Sequence, residues 1–338
     1  MALRHRVRPP VSGLLLAWYG KGHRDLPWRH VSDPYRIWVA EVMLQQTRAQ
    51  AAIPYYQRFI ERFPTAAALA AAGEEEVLTL WSGLGYYARA RNLLRAARQV
   101  AAAGGFPREY DGIRALPGVG DYTAAAISSM AFRLPYAVVD GNVLRVVARV
   151  ENDAADIASP RTRERFRAVA QGWLDRRHPG LFNQALMELG ATVCLPGKPR
   201  CRVCPLRSLC RARESGTVLE LPVKLRQTKP VRIAGALLLV RKGRRILLRQ
   251  REAGARRMAG FWDLPAPEEL PGAQSGARLG EFRHTITHHR YTWTVLAAAA
   301  RRPTGTGSSQ FRWFDPAALT QIPLSTTARK ALKLAGIL

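Results

Sequence analysis

The chain has 338 residues, enough for two domains and a sizeable buried core, which excludes a single small module. Its 52 Lys and Arg against 25 Asp and Glu give a formal charge of +27, which is spread over both halves of the chain. Such an excess predicts a polyanionic partner, although biased genome composition is an alternative explanation for the size of the charge. With 47% apolar and 23% charged residues the chain is globular rather than disordered, and no apolar run approaches the ~18 residues of a membrane span.

The first residues carry three arginines before a short apolar run at Leu14 to Trp18. That run is too short for a signal peptide, and no small-residue cleavage site follows it. We expect no membrane association, and a cytoplasmic, nucleoid-associated protein in a bacterium or a nuclear or mitochondrial one in a eukaryote.

From about Pro34 to Leu189 the apolar residues recur three and four positions apart, with Gly or Pro between the periodic segments. This pattern predicts short helices in a compact all-α domain rather than a coiled coil. The clearest examples are Tyr35–Ala49, Ala66–Leu80, Arg89–Ala103, Tyr122–Ala131 and Arg161–Trp173.

The periodicity is lost over residues 214–231, which indicates a linker. Beyond it the period changes to that of strands, and a helix is predicted at Thr326–Leu334. The predicted domains are therefore residues 1–213, all-α, and residues 232–338, α+β. The predicted strands are Val231–Val240, Arg245–Gln250, Tyr291–Ala298 and Gln310–Phe314.

All four cysteines lie within seventeen residues, in the spacing C-x6-C-x2-C-x5-C, at Cys194, Cys201, Cys204 and Cys210. A disulfide framework is unusual in a chain of this size without a secretion signal, so one metal centre is the better explanation. The spacing alone leaves zinc and a [4Fe-4S] cluster open. Six Lys and Arg residues crowd this loop, which indicates a structural or DNA-contacting role.

The segment Leu116-Pro117-Gly118-Val119-Gly120 lies between two predicted helices. Its glycines permit a positive φ and close approach of another backbone, and the next helix begins with free amide donors. Such amides hold a DNA phosphate without reading its base, although an ordinary interhelical turn has the same local sequence.

Two carboxylates stand out as candidates for chemistry. Glu41 shares one face of a predicted helix with Trp38 and Gln45, and its other neighbours are apolar. Burial would raise the pKa of Glu41 so that it could donate a proton near neutrality, and a solvated glutamate is the alternative. Asp140 ends an apolar run just before Gly141, where a helix N-cap is the simplest interpretation.

The cysteine spacing resembles the cluster loop of helix-hairpin-helix DNA glycosylases related to endonuclease III, and the hairpin matches the motif of that superfamily. Further segments extend the resemblance, over essentially the whole chain, to the MutY-type adenine DNA glycosylases. They are EVMLQQT from 41, GLGYYARARNL from 83, LPGVGDYTAAAI from 116 and FNQALMELGA from 182. The resemblance implies a [4Fe-4S] cluster on the four cysteines of the loop 194–210.

The resemblance also implies catalytic roles. Glu41 would protonate the flipped adenine and later help to position water, and Asp140 would stabilise the positively charged sugar. Tyr122 and Asn142 would support that site by hydrogen bonding. Because bifunctional relatives carry a lysine at the position of Tyr122, the resemblance implies a monofunctional enzyme with little or no lyase activity.

Other positions match the family's binding surfaces. Arg24, Trp28 and Gln184 are candidates for the adenine pocket. The residues that would contact and distort the DNA are Leu44, Gln45, Gln46, Tyr86, Gly118, Val119 and Gly120; core packing is the alternative for Leu44 and Tyr86.

Residues 232–338 resemble the MutT-like domain, of the Nudix fold, with which this family recognises 8-oxoguanine. Gly260–Pro265 resembles that fold's Gly-Leu-Trp-x-Phe-Pro stretch, but only Glu268 and Glu269 follow before Pro271, so nucleotide hydrolysis is not expected. Residues 282–288 match the loop that reads the lesion, with Thr287 and His288 in place of the family's Ser-His and Ile286 in place of its Phe. A plain polar loop between strands is the alternative.

The sequence therefore predicts an adenine DNA glycosylase that acts, as a monomer, on duplex DNA with adenine opposite 8-oxoguanine or guanine. One alternative is a thymine-mismatch or oxidised-pyrimidine glycosylase of the same superfamily. Another is a DNA-binding protein without catalytic activity.

Overall fold

The computed structural model describes residues 10–225, 230–252, 255, 258–286, 288–300 and 311–338. The chain divides into two compact units, the first made of Met1–Ala70 and Arg95–Gln227 and the second of Ala71–Leu94 and Thr228–Leu338. The predicted boundaries at residues 213 and 232 stay a prediction. Among the described residues, no helix combines the length and the apolar composition that crossing a bilayer requires.

The first unit is helical, as predicted. Helix α6 (Ala88–Ala102) runs from the second unit into the first. The other helices of the first unit are α1 (Val11–Tyr19), α2 (Pro34–Leu44), α3 (Ala49–Arg62), α4 (Ala66–Ala70), α7 (Tyr110–Arg114), α8 (Asp121–Phe132), α9 (Gly141–Glu151), α10 (Pro160–Trp173), α11 (Pro179–Thr192) and α12 (Arg211–Glu214).

Two helix predictions are wrong in their bounds. The helix predicted at Tyr35–Ala49 ends at Leu44, because Gln46 takes a positive φ of 58° that no helix accommodates. The helix predicted at Ala66–Leu80 is two helices, α4 and α5 (Glu74–Trp81), with Gly73 in an extended conformation between them. In both cases the apolar periodicity continues across a break in the backbone.

Helix α8 lies at the centre of the first unit. Its residues from Thr123 to Ser129 are buried on every side, and small alanines allow the neighbouring helices to approach closely. Helices α1, α9, α10 and α11 share one apolar core, to which Leu15, Phe166 and Phe182 contribute fully buried side chains. This core holds the start of α9 and the cysteine loop in fixed positions.

The predicted linker begins as packed structure. Leu221 is buried, and the Arg149 guanidinium of α9 donates from Nε to its carbonyl at 3.0 Å. Ile157 N–H donates to the Val223 carbonyl at 3.0 Å, so the chain up to this point follows the surface of the first unit.

The second unit contains a mixed sheet, whose strands are β1 (Val231–Lys242), β2 (Arg245–Gln250), β3 (Trp262–Asp263), β4 (Gln274–Ile286), β5 (His289–Ala299) and β6 (Phe311–Phe314). The strand order is β3-β2-β1-β5-β4, and β6 also pairs with β2. Strands β1 and β5 are parallel, whereas β4 and β5 form an antiparallel hairpin. Helix α13 (Thr326–Leu334) covers the sheet through a shared apolar core.

The predicted α+β class of this unit is confirmed, and β2 and α13 have the predicted bounds. The loop predicted over residues 282–288 is wrong up to Ile286, because these residues form the end of β4. Strand β4 is exposed along most of its length, so its sequence lacks the alternation of apolar and polar residues that marks a half-buried strand.

Candidate active site

Helix α2 buries a carboxyl group in the first unit. Asp33 caps the helix by accepting a hydrogen bond from Tyr35 N–H at 2.9 Å, and Pro34 occupies its first position. The helix is buried from Ile37 to Met43 because apolar residues surround it on all sides. Glu41 lies within this stretch and is only 5% exposed.

Tyr122, on α8, holds that carboxyl group. Its hydroxyl donates to Glu41 Oε2 at 2.6 Å and lies 3.5 Å from Met187 Sδ. Burial raises the pKa of Glu41 to about 7 and outweighs the hydrogen bond from Tyr122, which lowers it; the charge of Asp140 raises it further. Glu41 is therefore partly protonated near neutrality, and burial together with Glu41 keeps the pKa of Tyr122 well above its usual value.

Asp140 is the N-cap of α9, as its local sequence predicts. Its Oδ1 accepts from Val143 N–H at 2.7 Å and its Oδ2 from the Asn142 amide at 2.9 Å. Burial raises the pKa of Asp140, and these two hydrogen bonds oppose that rise. Arg145 in turn donates to Asn142 Oδ1 at 2.9 Å and to the carbonyls of Gly190 and Cys194 at 2.7 Å each, which fixes Asn142.

Both carboxyl groups line one cavity of about 540 Å³ in the first unit, a size typical of ligand sites. The cavity brings together eight of the predicted site residues from distant parts of the chain. These are Arg24, Trp28, Glu41, Leu44, Tyr122, Asp140, Asn142 and Gln184. Trp28 packs edge-on against Tyr56, and Gln184 accepts from the Tyr19 hydroxyl at 3.0 Å.

Glu188 and Arg29 also line this cavity, although neither was predicted from the sequence as a site residue. Glu188 is 2% exposed and accepts from Arg24 Nη2 at 2.7 Å and from Arg29 Nη2 at 2.6 Å. Burial raises the pKa of Glu188, but the two guanidinium groups outweigh this and hold it at about 2. One signal was available, because Glu188 lies inside the segment FNQALMELGA that carried the resemblance.

The cavity thus combines carboxyl groups with opposed protonation. Glu41 is poised to give or take a proton, whereas Glu188 stays ionised as part of a fixed ion-pair group. Sites in which environments separate the pKa values of titratable groups are suited to acid and base chemistry.

The residues predicted to distort DNA do not all line the cavity. Gln45 directly follows α2 as its C-cap and donates to Thr123 Oγ1 at 3.2 Å. The next residue, Gln46, is exposed and has a positive φ. Tyr86 belongs to the second unit, where it is 41% exposed with a φ of 50°. Non-glycine residues at positive φ are uncommon and concentrate at functional sites.

The predicted hairpin connects α7 and α8. Gly118 has a φ of 77°, and Val119 N–H donates to the Leu116 carbonyl at 3.0 Å. Gly120 is the N-cap of α8 and has no side chain that could cap the helix. The first amides of α8 are thus available to an anion. Asp121, the next residue, accepts from Arg114 and, at 3.2 Å, from Arg167.

The four cysteines line one pocket between α9, α11 and the cysteine loop. Its described lining contains no His, Asp or Glu, so thiols are its donors for a soft metal. Arg149 donates from Nη1 to Cys194 Sγ at 3.4 Å, and burial raises the pKa of Cys204 to about 12. No group of three or more His, Cys, Asp or Glu side chains in the described chain is arranged to hold a metal ion, so ligation stays a prediction.

In the second unit, His288 lies in the turn between β4 and β5, and the centroids of the His288 and His289 rings are 4.1 Å apart. Thr287 lies outside the described residues. Both carboxylate oxygens of Glu269 already have protein partners: Oε1 accepts from Arg249 at 2.5 Å and Oε2 from Ala266 N–H at 3.0 Å. This arrangement does not favour Glu269 as a metal ligand.

Comparison with known protein families gives two matches. Residues 39–171 match the HhH-GPD superfamily base excision DNA repair protein family, and residues 235–334 match the NUDIX domain. These matches confirm the predicted combination of a helix-hairpin-helix unit and a Nudix-like unit.

Individual relatives agree with this combination. The chain is 34% identical to an adenine DNA glycosylase of Homo sapiens over 95% of this chain and 73% of that protein. It is 46% identical to one of Mycolicibacterium smegmatis over 60% of this chain and 69% of that protein. The solved structure of a thermostable thymine-DNA glycosylase superimposes with a TM-score of 0.56 at 30% identity, covering 60% of this chain and 95% of that one.

Proposed function

Since the chain belongs to the adenine DNA glycosylase family, a group of base excision repair enzymes that act on DNA, we propose that it removes adenine placed opposite 8-oxoguanine or guanine and does so by hydrolysis alone. The observation that carries this proposal is the hydrogen-bonded pair of Glu41 and Tyr122 in the cavity beside Asp140.

Glu41 supplies the proton. Adenine is a poor leaving group as an anion, so release from the sugar requires a proton on the base. A carboxyl group with a pKa of about 7 is protonated in a large fraction of molecules near neutrality and becomes a strong enough base afterwards to orient water. Tyr122 fixes the carboxyl group in one orientation through its hydroxyl.

Asp140 acts on the sugar. Departure of the protonated base leaves positive charge on the deoxyribose, which a nearby carboxylate stabilises electrostatically or by transient covalent capture. The hydrogen bonds from Val143 N–H and Asn142 favour the ionised form of Asp140 and hold it in place. Glu188, Arg24 and Arg29 present a rigid polar wall to the base.

The absence of a lyase step follows from the same cavity. Strand cleavage by a glycosylase requires an amine that forms a Schiff base with the sugar. None of the described residues that line the cavity is a lysine. The resemblance of the hairpin segment implies that Tyr122 stands where bifunctional relatives carry their lysine. The product is therefore an abasic site in an intact strand.

The second unit reads the base opposite the adenine. This unit has the Nudix fold, but its Glu269 forms an ion pair with Arg249 instead of being free to bind a metal ion. We therefore favour recognition of a base over hydrolysis of a nucleotide. In this proposal Thr287 and His288 contact 8-oxoguanine. The proposed enzyme acts as a monomer.

In the proposed function, Cys194, Cys201, Cys204 and Cys210 would hold a [4Fe-4S] cluster in the cysteine pocket. Among the described residues that line this pocket are four cysteines and no His, Asp or Glu, which fits such a group. When bound, the cluster supplies a structural crosslink that fixes the basic loop. Purified protein is expected to contain about four irons and matching sulfide, and stoichiometric zinc would contradict the cluster.

The test of the reaction is a panel of duplexes with adenine opposite 8-oxoguanine or guanine, thymine opposite guanine, and oxidised pyrimidines. Release of adenine, with strand breaks only after alkali, is expected. Release of thymine or pyrimidines alone would make this a glycosylase of the alternative kind. Glu41→Gln should abolish release while DNA binding persists, and normal turnover by that variant would remove Glu41 from its role.

A further inference from the structure

The loop that connects α5 to α6 carries Tyr86, and residues 82–87 are called the Tyr86 loop below. The helix-hairpin-helix family match covers residues 39–171 and so includes this loop. In the structure, however, Ala71–Leu94 forms one compact unit with Thr228–Leu338. The Tyr86 loop is therefore a part of the glycosylase sequence that folds together with the Nudix-like residues.

Ser82 attaches the beginning of this loop to the Nudix-like residues of the unit. The residue is buried, and its hydroxyl donates to the Leu324 carbonyl at 2.6 Å. The same oxygen accepts from Arg329 Nε, on α13, at 3.1 Å. Leu324 is fully buried and forms a bridge with Trp262 of β3, so the acceptor of Ser82 lies on a rigid part of the fold. One small hydroxyl thus joins the loop to two neighbouring elements.

Tyr87 attaches the end of the loop. Its ring is buried, and the ring centroids of Tyr87 and Phe261 lie 4.1 Å apart. The Tyr87 hydroxyl lies 3.3 Å from Thr326 Oγ1, at the start of α13, and accepts from Gly83 N–H at 3.3 Å. Both ends of the loop are therefore held by residues of the second unit that are distant from it in sequence.

Between these two attachments, Tyr86 is held in an uncommon backbone conformation. Its φ of 50° is one that a non-glycine residue keeps only where its surroundings impose it. Arg89 supports the loop from below, because its Nη2 donates to the Gly85 carbonyl at 3.0 Å and its guanidinium carbon lies 5.6 Å from the centroid of the Tyr86 ring. Tyr86 nevertheless stays 41% exposed. The attached ends thus present an exposed ring in an otherwise unfavourable conformation.

We propose that Ser82 is a positioning residue for Tyr86: through Leu324 and Arg329, it holds the Tyr86 ring in the conformation that contacts DNA. A residue at an unfavourable φ relaxes when the contacts that impose it are lost, so removal of the Ser82 hydroxyl reduces the fraction of molecules with the ring in place. The inference rests on the proposed function, in which Tyr86 contacts and distorts the DNA. If Ser82 only stabilised the second unit, its loss would not act through the ring.

The test is a double-mutant cycle on DNA affinity, measured with the full chain. The duplex carries a 2′-fluorinated adenosine opposite guanine, because the fluorine disfavours positive charge on the sugar and so prevents release of the base. Tyr86→Leu removes the ring and is expected to weaken binding by about 5- to 150-fold. Ser82→Ala removes one buried hydrogen-bonding group and is expected to weaken binding by about 3- to 10-fold. Added to Tyr86→Leu, Ser82→Ala should change the affinity by less than about twofold, because no ring is left to position.

Arg329→Met removes the donor to Ser82 from the side of α13, and its effect should depend on the Tyr86 ring in the same way. This second cycle decides the question if Ser82→Ala does not fold. Thr79→Ala is the matched control, because it removes a hydroxyl of α5 that donates to the Glu75 carbonyl at 2.8 Å. It should bind within about twofold of the wild type.

Two results would overturn the inference while the proposed function stands. One is wild-type affinity of Ser82→Ala, and the other is an equal loss from Ser82→Ala with and without the Tyr86 ring, which would show that Ser82 has only a structural role. Wild-type affinity of Tyr86→Leu is a different failure. It would remove Tyr86 from the DNA interface of the proposed function, and the inference would fall with that assignment.

Discussion

Replacement of Tyr122 by phenylalanine removes one hydroxyl, the donor that holds Glu41 Oε2 at 2.6 Å. That hydrogen bond lowers the pKa of Glu41 and works against burial, which raises it to about 7. A hydrogen bond to a charged group contributes about 1.5–3 kcal/mol, and one pKa unit corresponds to about 1.4 kcal/mol. Tyr122→Phe should therefore raise the pKa of Glu41 by about one to two units.

The sign of the kinetic effect follows from the role of Glu41 as an acid. Activity requires the protonated carboxyl group, so the rate falls as the pH rises through the pKa of Glu41. In the variant this basic limb should move to higher pH by the same one to two units, whatever the change in maximal rate. The assay is single-turnover release of adenine from a duplex with adenine opposite guanine, measured across the pH range.

Tyr35→Phe is the matched control. This substitution also removes a buried hydroxyl from α2. The Tyr35 hydroxyl donates to the Phe63 carbonyl at 2.8 Å and not to Glu41. It should lower stability without moving the basic limb. A basic limb that stays in place in Tyr122→Phe, or moves to lower pH, would refute the assignment of that limb to Glu41.

Three further predictions concern stability and binding. The pKa of Glu41 is raised from 4.5 to about 7 in the folded state, so the contribution of Glu41 to the free energy of unfolding declines as the pH rises through that window. Glu41→Gln does not titrate, and its free energy of unfolding relative to the wild type should therefore increase by up to about 3 kcal/mol between about pH 5 and about pH 8 in denaturant titrations. An unchanged difference would show that Glu41 titrates normally. Glu188→Gln should lower the free energy of unfolding by about 3 kcal/mol, measured by the same method. Most of this loss should come from the buried Arg29, which loses its charged partner, because the Arg24 side chain is 42% exposed and stays solvated. A loss below about 1 kcal/mol would contradict the buried ion pair. Gly118→Val should cost about 1–2 kcal/mol and weaken DNA binding in titrations, since its φ is 77°, and wild-type affinity would remove the hairpin from the interface.

Local sequence was sufficient for much of the fold. The bounds of β2 and α13 and the N-cap at Asp140 depend on side chains within a few residues, so periodicity and capping preferences identify them. Strand β4 was missed because pairing with β5, rather than burial of one face, stabilises it. The break after Leu44 was missed because a positive φ at Gln46 leaves no mark in an apolar pattern.

The sequence by itself determined which groups are available for chemistry: four clustered cysteines, a glycine hairpin and two isolated carboxylates in apolar surroundings. Only the tertiary structure decided how those groups behave. Glu41 meets its partner Tyr122 across 81 residues, and Glu188 meets Arg24 across 164. A pKa depends on the dielectric and the charges within a few ångströms, so packing makes one glutamate of the cavity an acid near neutrality and keeps the other ionised.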